Sequence, residues 1–197
     1  MDYTLMIVAI VIAYFLGNIS PATLLARAVG KDIKKEGSGN AGTTNALRVL
    51  GKKAALITLV IDIGKGVVAV LLGGLIAGTT ASYCCALAAF VGHIWPVLFK
   101  FKGGKGVAVA FGAILAVNWH MALALLAIEA VVVLGSRMVS LASIVTAAAC
   151  PFLAYFMERD FVPLVCVMAL ILIVKHRSNI GRILRGEENK LGHTVAK

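Results

Sequence analysis

Charge is what this chain has least of. Only 14% of its 197 residues are charged, nine of them acids, while 60% are hydrophobic. A soluble globule carries charge at about a quarter of its positions, so an aqueous surface around the whole molecule is excluded and the chain belongs in a bilayer. Its four cysteines, Cys84, Cys85, Cys150 and Cys166, lie inside apolar runs without metal-ligand spacing. They read as small packing residues, with neither a disulfide framework nor a metal centre implied. Two common catalytic motifs are missing: there is no G-x-S-x-G, and no His followed five residues later by Asp. Internal repeats, low-complexity tracts and linkers are missing too, so the expectation is one domain over residues 1–197.

The apolar runs predict an all-α integral membrane protein with seven helices: Leu5–Ala28, Ala54–Ala77, Ser82–His93, Gly106–Val117, Trp119–Leu134, Ser140–Met157 and Phe161–Val174. The first has no basic residue before it and no A-x-A site after it, so it reads as a membrane helix and not a cleavable signal. A spanning helix needs about 20 residues, which requires the third, fourth and seventh to extend beyond these bounds or to sit where the bilayer thins.

The excess of cations, a net charge of +10, falls between the apolar runs. Positive-inside topology explains it, and no nucleic-acid partner is implied. With the N-terminus outside and a break at Asn118, every Lys and Arg between the helices or in the tail faces the cytoplasm except Arg159; fusing the fourth and fifth helices would export Arg137 and the basic tail. The outer connections are then short and the inner ones long, which places the chemistry inside.

The first inner loop reads Gly37-Ser38-Gly39-Asn40-Ala41-Gly42-Thr43-Thr44-Asn45-Ala46-Leu47-Arg48. Glycines let backbone N–H groups converge on an anion, hydroxyls and amides add donors, and Arg48 supplies a bidentate charge, so the loop reads as a phosphate cradle. It also fits G-x-G-x-x-G, but no βαβ unit fits this chain. The second inner loop ends in Gly103-Gly104-Lys105, which lacks Walker A spacing and presents Lys105 where a helix begins, a setting that favours anions. Lys100 and Lys102 suit lipid headgroups equally well. After the seventh helix, a helical turn would align His176, Asn179 and either Arg182 or Ile183. His176 and Asn179 are the better site candidates, while Arg182 and Arg185 suit a basic tail on anionic lipid. Within the membrane, Asp62 and Lys65 stand three apart and can neutralise each other; Glu129 has no evident local partner; His93 and His120 read as helix-end residues, and His193 as tail.

Together these blocks resemble the acyl-phosphate glycerol-3-phosphate acyltransferase family of bacterial membranes. The resemblance rests on GSGNAGTTNALR at 37–48, DIGKG at 62–66, GHIWPVLFKFKGGKGVA at 92–108, SLASI at 140–144 and HRSNIGRILRGEE at 176–188. The chain departs where the family has Thr at the position of Val109 and a Phe-Gly pair near Ala22 and Thr23. The resemblance implies seven helices with an outside N-terminus, a bacterial plasma-membrane location with the active site facing the cytoplasm, and no cofactor. The implied reaction moves a fatty acyl group from acyl phosphate to sn-glycerol 3-phosphate, giving lysophosphatidic acid and phosphate. Ser38, Arg48 and Lys105 are the implied catalytic residues. Gly37, Gly39, Asn40, Thr44, Asn45, Gly103, Gly104, Ser143, His176 and Asn179 are the implied substrate-binding residues. A transporter for an anionic or phosphorylated solute is the competing reading, opposed by the gathering of polar residues at one face and not at the midplane. A structural membrane subunit would give no reason for three donor-rich inner loops.

Overall fold

The computed structural model describes residues 2–191. His193, read above as tail, and Lys197, counted among the inner cations, lie outside the described residues. The helical class expected from the apolar runs is what forms, in two compact units, Met1–Val117 and Asn118–Lys197.

In the first unit the opening apolar run is broken, giving α1 (Tyr3–Asn18) and α2 (Pro21–Ala28) where one helix was expected. Pro21 has no N–H to continue the ladder and disfavours a helical Ser20 before it, so the chain turns extended at Ile19. Asn18, fully buried, donates from Nδ2 to the Tyr14 carbonyl 2.7 Å away. The loop that follows contains a helix the apolar pattern did not reveal, α3 (Thr43–Leu50), bounded by Gly42 and by Gly51 at φ +87°. Then come α4 (Lys52–Ala77), α5 (Thr79–Ile94), a single helical turn at Val97–Phe99, and α6 (Val107–Val117). The third predicted helix thus extends on both sides, as spanning requires, whereas the fourth stays at 11 residues.

Lipid tails are as apolar as leucine, so membrane helices associate through close packing of small residues. Helix α1 lies on α5 with Gly17 against the Ala89 carbonyl and Gly92 against the Tyr14 carbonyl; α4 lies on α6 with Gly112 against the Ile63 carbonyl. A methyl group at any of the three would strike backbone.

In the second unit, α7 (Trp119–Ser136) starts at Asn118, whose Oδ1 accepts from the Met121 N–H at 3.0 Å. The break predicted there is present because Asn118 is a true N-cap. Helices α8 (Val139–Met157) and α9 (Val162–Lys175) pack together and lead into α10 (Arg177–Leu184), which bends 55° from the segment before it. After α10 the chain returns to the α7–α8 connection, with the Leu191 N–H donating to the Arg137 carbonyl at 2.7 Å.

Among the described residues, five helical segments are long and apolar enough to cross a bilayer: Tyr3–Ala28, Lys52–Ala77, Thr79–Phe99, Trp119–Ser136 and Val139–Met157. Counting the bent pair Arg159–Lys175 and Arg177–Leu184 as one span makes six, and Val107–Val117 is a shorter apolar helix. The close-packed interface makes a direct prediction. Gly112→Ala destabilises the protein by about 1–3 kcal/mol, because α4 and α6 must separate, whereas Gly64→Ala, with nothing within 4 Å of a new methyl, leaves stability unchanged or slightly raised. Thermal unfolding in detergent reads both, and equal midpoints for the two variants would contradict the packing.

Candidate active site

The first glycine-rich loop is built around Asn45. Its side chain is 1% exposed, its Nδ2 donates to the carbonyls of Ile33 (3.2 Å) and Glu36 (3.0 Å), and its Oδ1 accepts from the Ser38 N–H at 2.8 Å. Gly37, at φ +59°, passes so close to Oδ1 that a side chain there would displace the amide, and Gly39, at φ +69°, donates its N–H to Glu36 at 3.0 Å. The N–H groups of Ser38 and Gly39 are therefore used within the loop. The amides that can meet an anion are those opening α3, at Thr43 and Thr44, where Gly42 offers no capping side chain. Ser38 is exposed, Asn40 and Thr44 are half-buried, and Arg48 stands exposed one turn along the same short helix. Helix α2, not a strand, precedes the loop, so the G-x-G-x-x-G match is not a dinucleotide fingerprint.

The second glycine-rich loop folds back on the end of α5. Gly103 and Gly104 donate to the carbonyls of Ile94 and His93, both at 3.1 Å, and a side chain on Gly103 would strike the His93 carbonyl. Lys34 Nζ reaches across from the first loop to the Gly103 carbonyl at 2.9 Å, and a Cβ built on Gly104 would lie 3.2 Å from the Ala41 carbonyl oxygen. The two loops are in contact. Tyr14 donates to the Trp95 carbonyl at 2.8 Å, and Arg27 sits 5.3 Å from the centre of the Phe99 ring. Lys105 is half-buried just before Gly106 and α6, while Lys100 and Lys102 are exposed.

Against the second loop lies a cluster of buried polar groups carried by the apolar helices. Lys65 Nζ is 2.6 Å from the Ile19 carbonyl, 2.7 Å from Asp62 Oδ1 and 2.8 Å from His93 Nδ1, and all three side chains are 5% exposed or less. The ion pair anticipated between Asp62 and Lys65 is present; the inclusion of His93 was not anticipated.

In the second unit the organising residue is Glu188, 6% exposed and not singled out from the sequence. Its Oε1 accepts from Ser140 Oγ (2.9 Å) and Asn179 Nδ2 (2.8 Å), and its Oε2 pairs with Arg182 Nε at 2.8 Å. Arg182, expected to lie on lipid, is thus drawn inward by a buried carboxylate, while Arg185 pairs with exposed Glu187. A carboxylate in a basic, acid-poor tail was the available signal. His176, 3% exposed, has Nδ1 2.8 Å from the Leu172 carbonyl. Ser143 donates to Glu129 Oε1 at 3.0 Å, which supplies the partner Glu129 lacked in the sequence, and its Oγ also lies 2.9 Å from the Val139 carbonyl.

The family model described as glycerol-3-phosphate acyltransferase matches residues 7–186. A protein of that name from Jannaschia sp. (strain CCS1) is 43% identical over 93% of this chain and 91% of its own length, and one from Finegoldia magna is 41% identical over 98% and 99%. The fold matches the crystal structure of PlsY, an integral membrane glycerol 3-phosphate acyltransferase, in its glycerol 3-phosphate form, with a TM-score of 0.91, 34% identity, and 95% and 96% of the two chains covered. The lysophosphatidic acid form of PlsY aligns with a TM-score of 0.87 at the same identity, over 94% of each chain. With close relatives along almost its whole length and a matching membrane fold, this chain belongs to the glycerol-3-phosphate acyltransferase family.

Proposed function

We propose that this protein transfers a fatty acyl group from acyl phosphate to a hydroxyl of sn-glycerol 3-phosphate, releasing lysophosphatidic acid and phosphate. In this reading it does so at the cytoplasmic face of a bacterial plasma membrane. The observation that carries the proposal is the contact between the two glycine-rich inner loops, which gathers two helix N-termini and the segments bearing Arg48 and Lys105 into one unit. Backbone N–H groups with cations are the equipment for a substrate whose reacting parts are phosphates.

An acyl phosphate is a mixed anhydride with a good leaving group, so orientation and charge neutralisation are enough to promote its reaction. The glycerol hydroxyl oxygen attacks the acyl carbonyl carbon, and the bond from that carbon to the phosphate oxygen breaks. The hydroxyl proton passes to the acceptor's own phosphate. Arg48 and Lys105 meet the phosphate charge, and Ser38 donates a hydrogen bond to a phosphate or carbonyl oxygen. Thr43 and Thr44 offer amides, Gly103 and Gly104 let the backbone come close, and Asn40 borders the same loop. Asn45 supports binding through the loop it holds. We assign His176 and Asn179, with Ser143, to glycerol 3-phosphate on the strength of the family motif.

The proposal treats the chain as one polytopic domain with seven spans, N-terminus outside, α6 being a short span inserted by a thinned bilayer. Single cysteines at Asp160 and Glu187, in a background lacking the native cysteines, then label from opposite sides of the membrane with an impermeant reagent. Labelling from one side refutes this topology.

Donor choice provides the direct assay. Purified protein in detergent turns over acyl phosphate with glycerol 3-phosphate, and neither acyl-CoA nor acyl carrier protein replaces the donor; efficient use of a thioester, or no turnover with any donor, overturns the reaction proposed. Lys105→Ala and Arg48→Ala each reduce turnover by about 10²-fold. Exposed Lys100→Ala changes it less than about twofold. Equal losses at all three sites would mean that these cations serve the lipid surface.

A further inference from the structure

We propose that Asp62, Lys65 and His93 are positioning residues that fix the loop carrying Lys105, an inference that rests on the phosphate-binding role given to Lys105 above. The starting point is a cost. An uncompensated charge within the bilayer is strongly unfavourable, so a buried ammonium takes the acceptors it can reach. Lys65 Nζ donates to the Ile19 carbonyl of the α1–α2 break, hydrogen-bonds His93 Nδ1 of α5 and forms an ion pair with Asp62 Oδ1 of α4, all within 2.8 Å. Ile19 has a carbonyl to offer because Pro21 interrupts the helix there. With Lys65 as an ammonium, His93 Nδ1 accepts, which leaves the imidazole proton on Nε2.

That ring orientation matters beyond the cluster. Nε2 faces Gly104, whose Cα lies so close that an added methyl would strike it, and the His93 carbonyl holds the Gly104 N–H at 3.1 Å. Asp62 Oδ1, 3.5 Å from Nδ1, flanks the ring at the same end as Lys65. The ion pair therefore clamps one edge of the imidazole and the other edge forms the floor under Gly103-Gly104, one residue before Lys105. A role confined to holding the bundle together would not require the ring to end against the loop.

The test separates positioning from bundle stability. His93→Ala keeps the backbone carbonyl but removes the floor, and Asp62→Asn keeps shape while weakening the clamp. Hydrogen–deuterium exchange in detergent is predicted to accelerate at least about fivefold in the segment 99–106 for both variants, with the segment 36–45 unchanged. The value of kcat/KM for glycerol 3-phosphate falls about tenfold with His93→Ala alone, and less than about twofold when the same change is made in Lys105→Ala, because both act through one group. Unchanged exchange at 99–106, acceleration in α1, α4 and α5 as large as that at 99–106, or equal losses on both backgrounds would each overturn the proposal. Should His93→Ala fail to fold, the same exchange and cycle measurements on Asp62→Asn decide it. If Lys105→Ala leaves turnover intact, it is the phosphate-binding reading of Lys105 that fails, and the exchange pattern still judges the positioning.

Discussion

A lysine ammonium inside a membrane is the constraint on which the first unit depends. Lys65 is 5% exposed in the middle of α4, and its contacts with Ile19, Asp62 and His93 are what make that position tolerable. Meeting its needs requires the break at Pro21, places α5 so that His93 points inward, and brings the end of α5 under Gly103 and Gly104. Small residues then let α1, α4, α5 and α6 approach closely enough for the cluster to close. Charge and packing are thus complementary conditions here. One helix-breaking proline frees a carbonyl, and one buried cation uses it.

The site proposed beside this cluster is electrostatic in character. Its candidate groups are an exposed arginine, a half-buried lysine, the open first turn of α3 and a serine between glycines. Such a set stabilises phosphate and developing oxyanion charge without forming a bond to carbon. The four cysteines lie on the apolar helices α5, α8 and α9, outside the inner loops, as expected from the sequence. Among the described residues of the second unit, a different carboxylate organises the C-terminal segment: Glu188 draws Ser140, Asn179 and Arg182 together.

How much of this was legible beforehand follows from range. The apolar stretches are helical, the first of them broken between Asn18 and Pro21, and the break at Asn118 is present, because hydropathy and charge are local properties of the chain. The ion pair of Asp62 with Lys65 was readable for the same reason, being one helical turn apart. Helix α3 escaped notice because eight residues of mixed polarity between glycines carry no apolar period long enough to detect. Asn45 looked like a ligand because its amide chemistry suits one; only the folded loop reveals that its donors are already taken by Ile33 and Glu36. His93 with Lys65, 28 residues apart, and Glu188 with Ser140, 48 apart, depend on tertiary contacts that no spacing rule encodes. Arg182 was misjudged through Glu188, since a basic side chain in a tail looks like a lipid contact until its buried partner is known.

The central claim is that acyl phosphate is attacked directly by the acceptor, with the protein contributing position and charge and no nucleophile. Exposed Ser38, a hydroxyl between two glycines, is the loop nucleophile weighed against it. The most direct measurement is intact mass of the enzyme quenched after incubation with labelled acyl phosphate alone, alongside Ser38→Ala and a cysteine-free variant. Direct transfer predicts no acyl adduct on any of the three and an active cysteine-free enzyme. A stoichiometric adduct that forms on the unaltered protein, passes its acyl group to glycerol 3-phosphate and disappears with Ser38→Ala would contradict it.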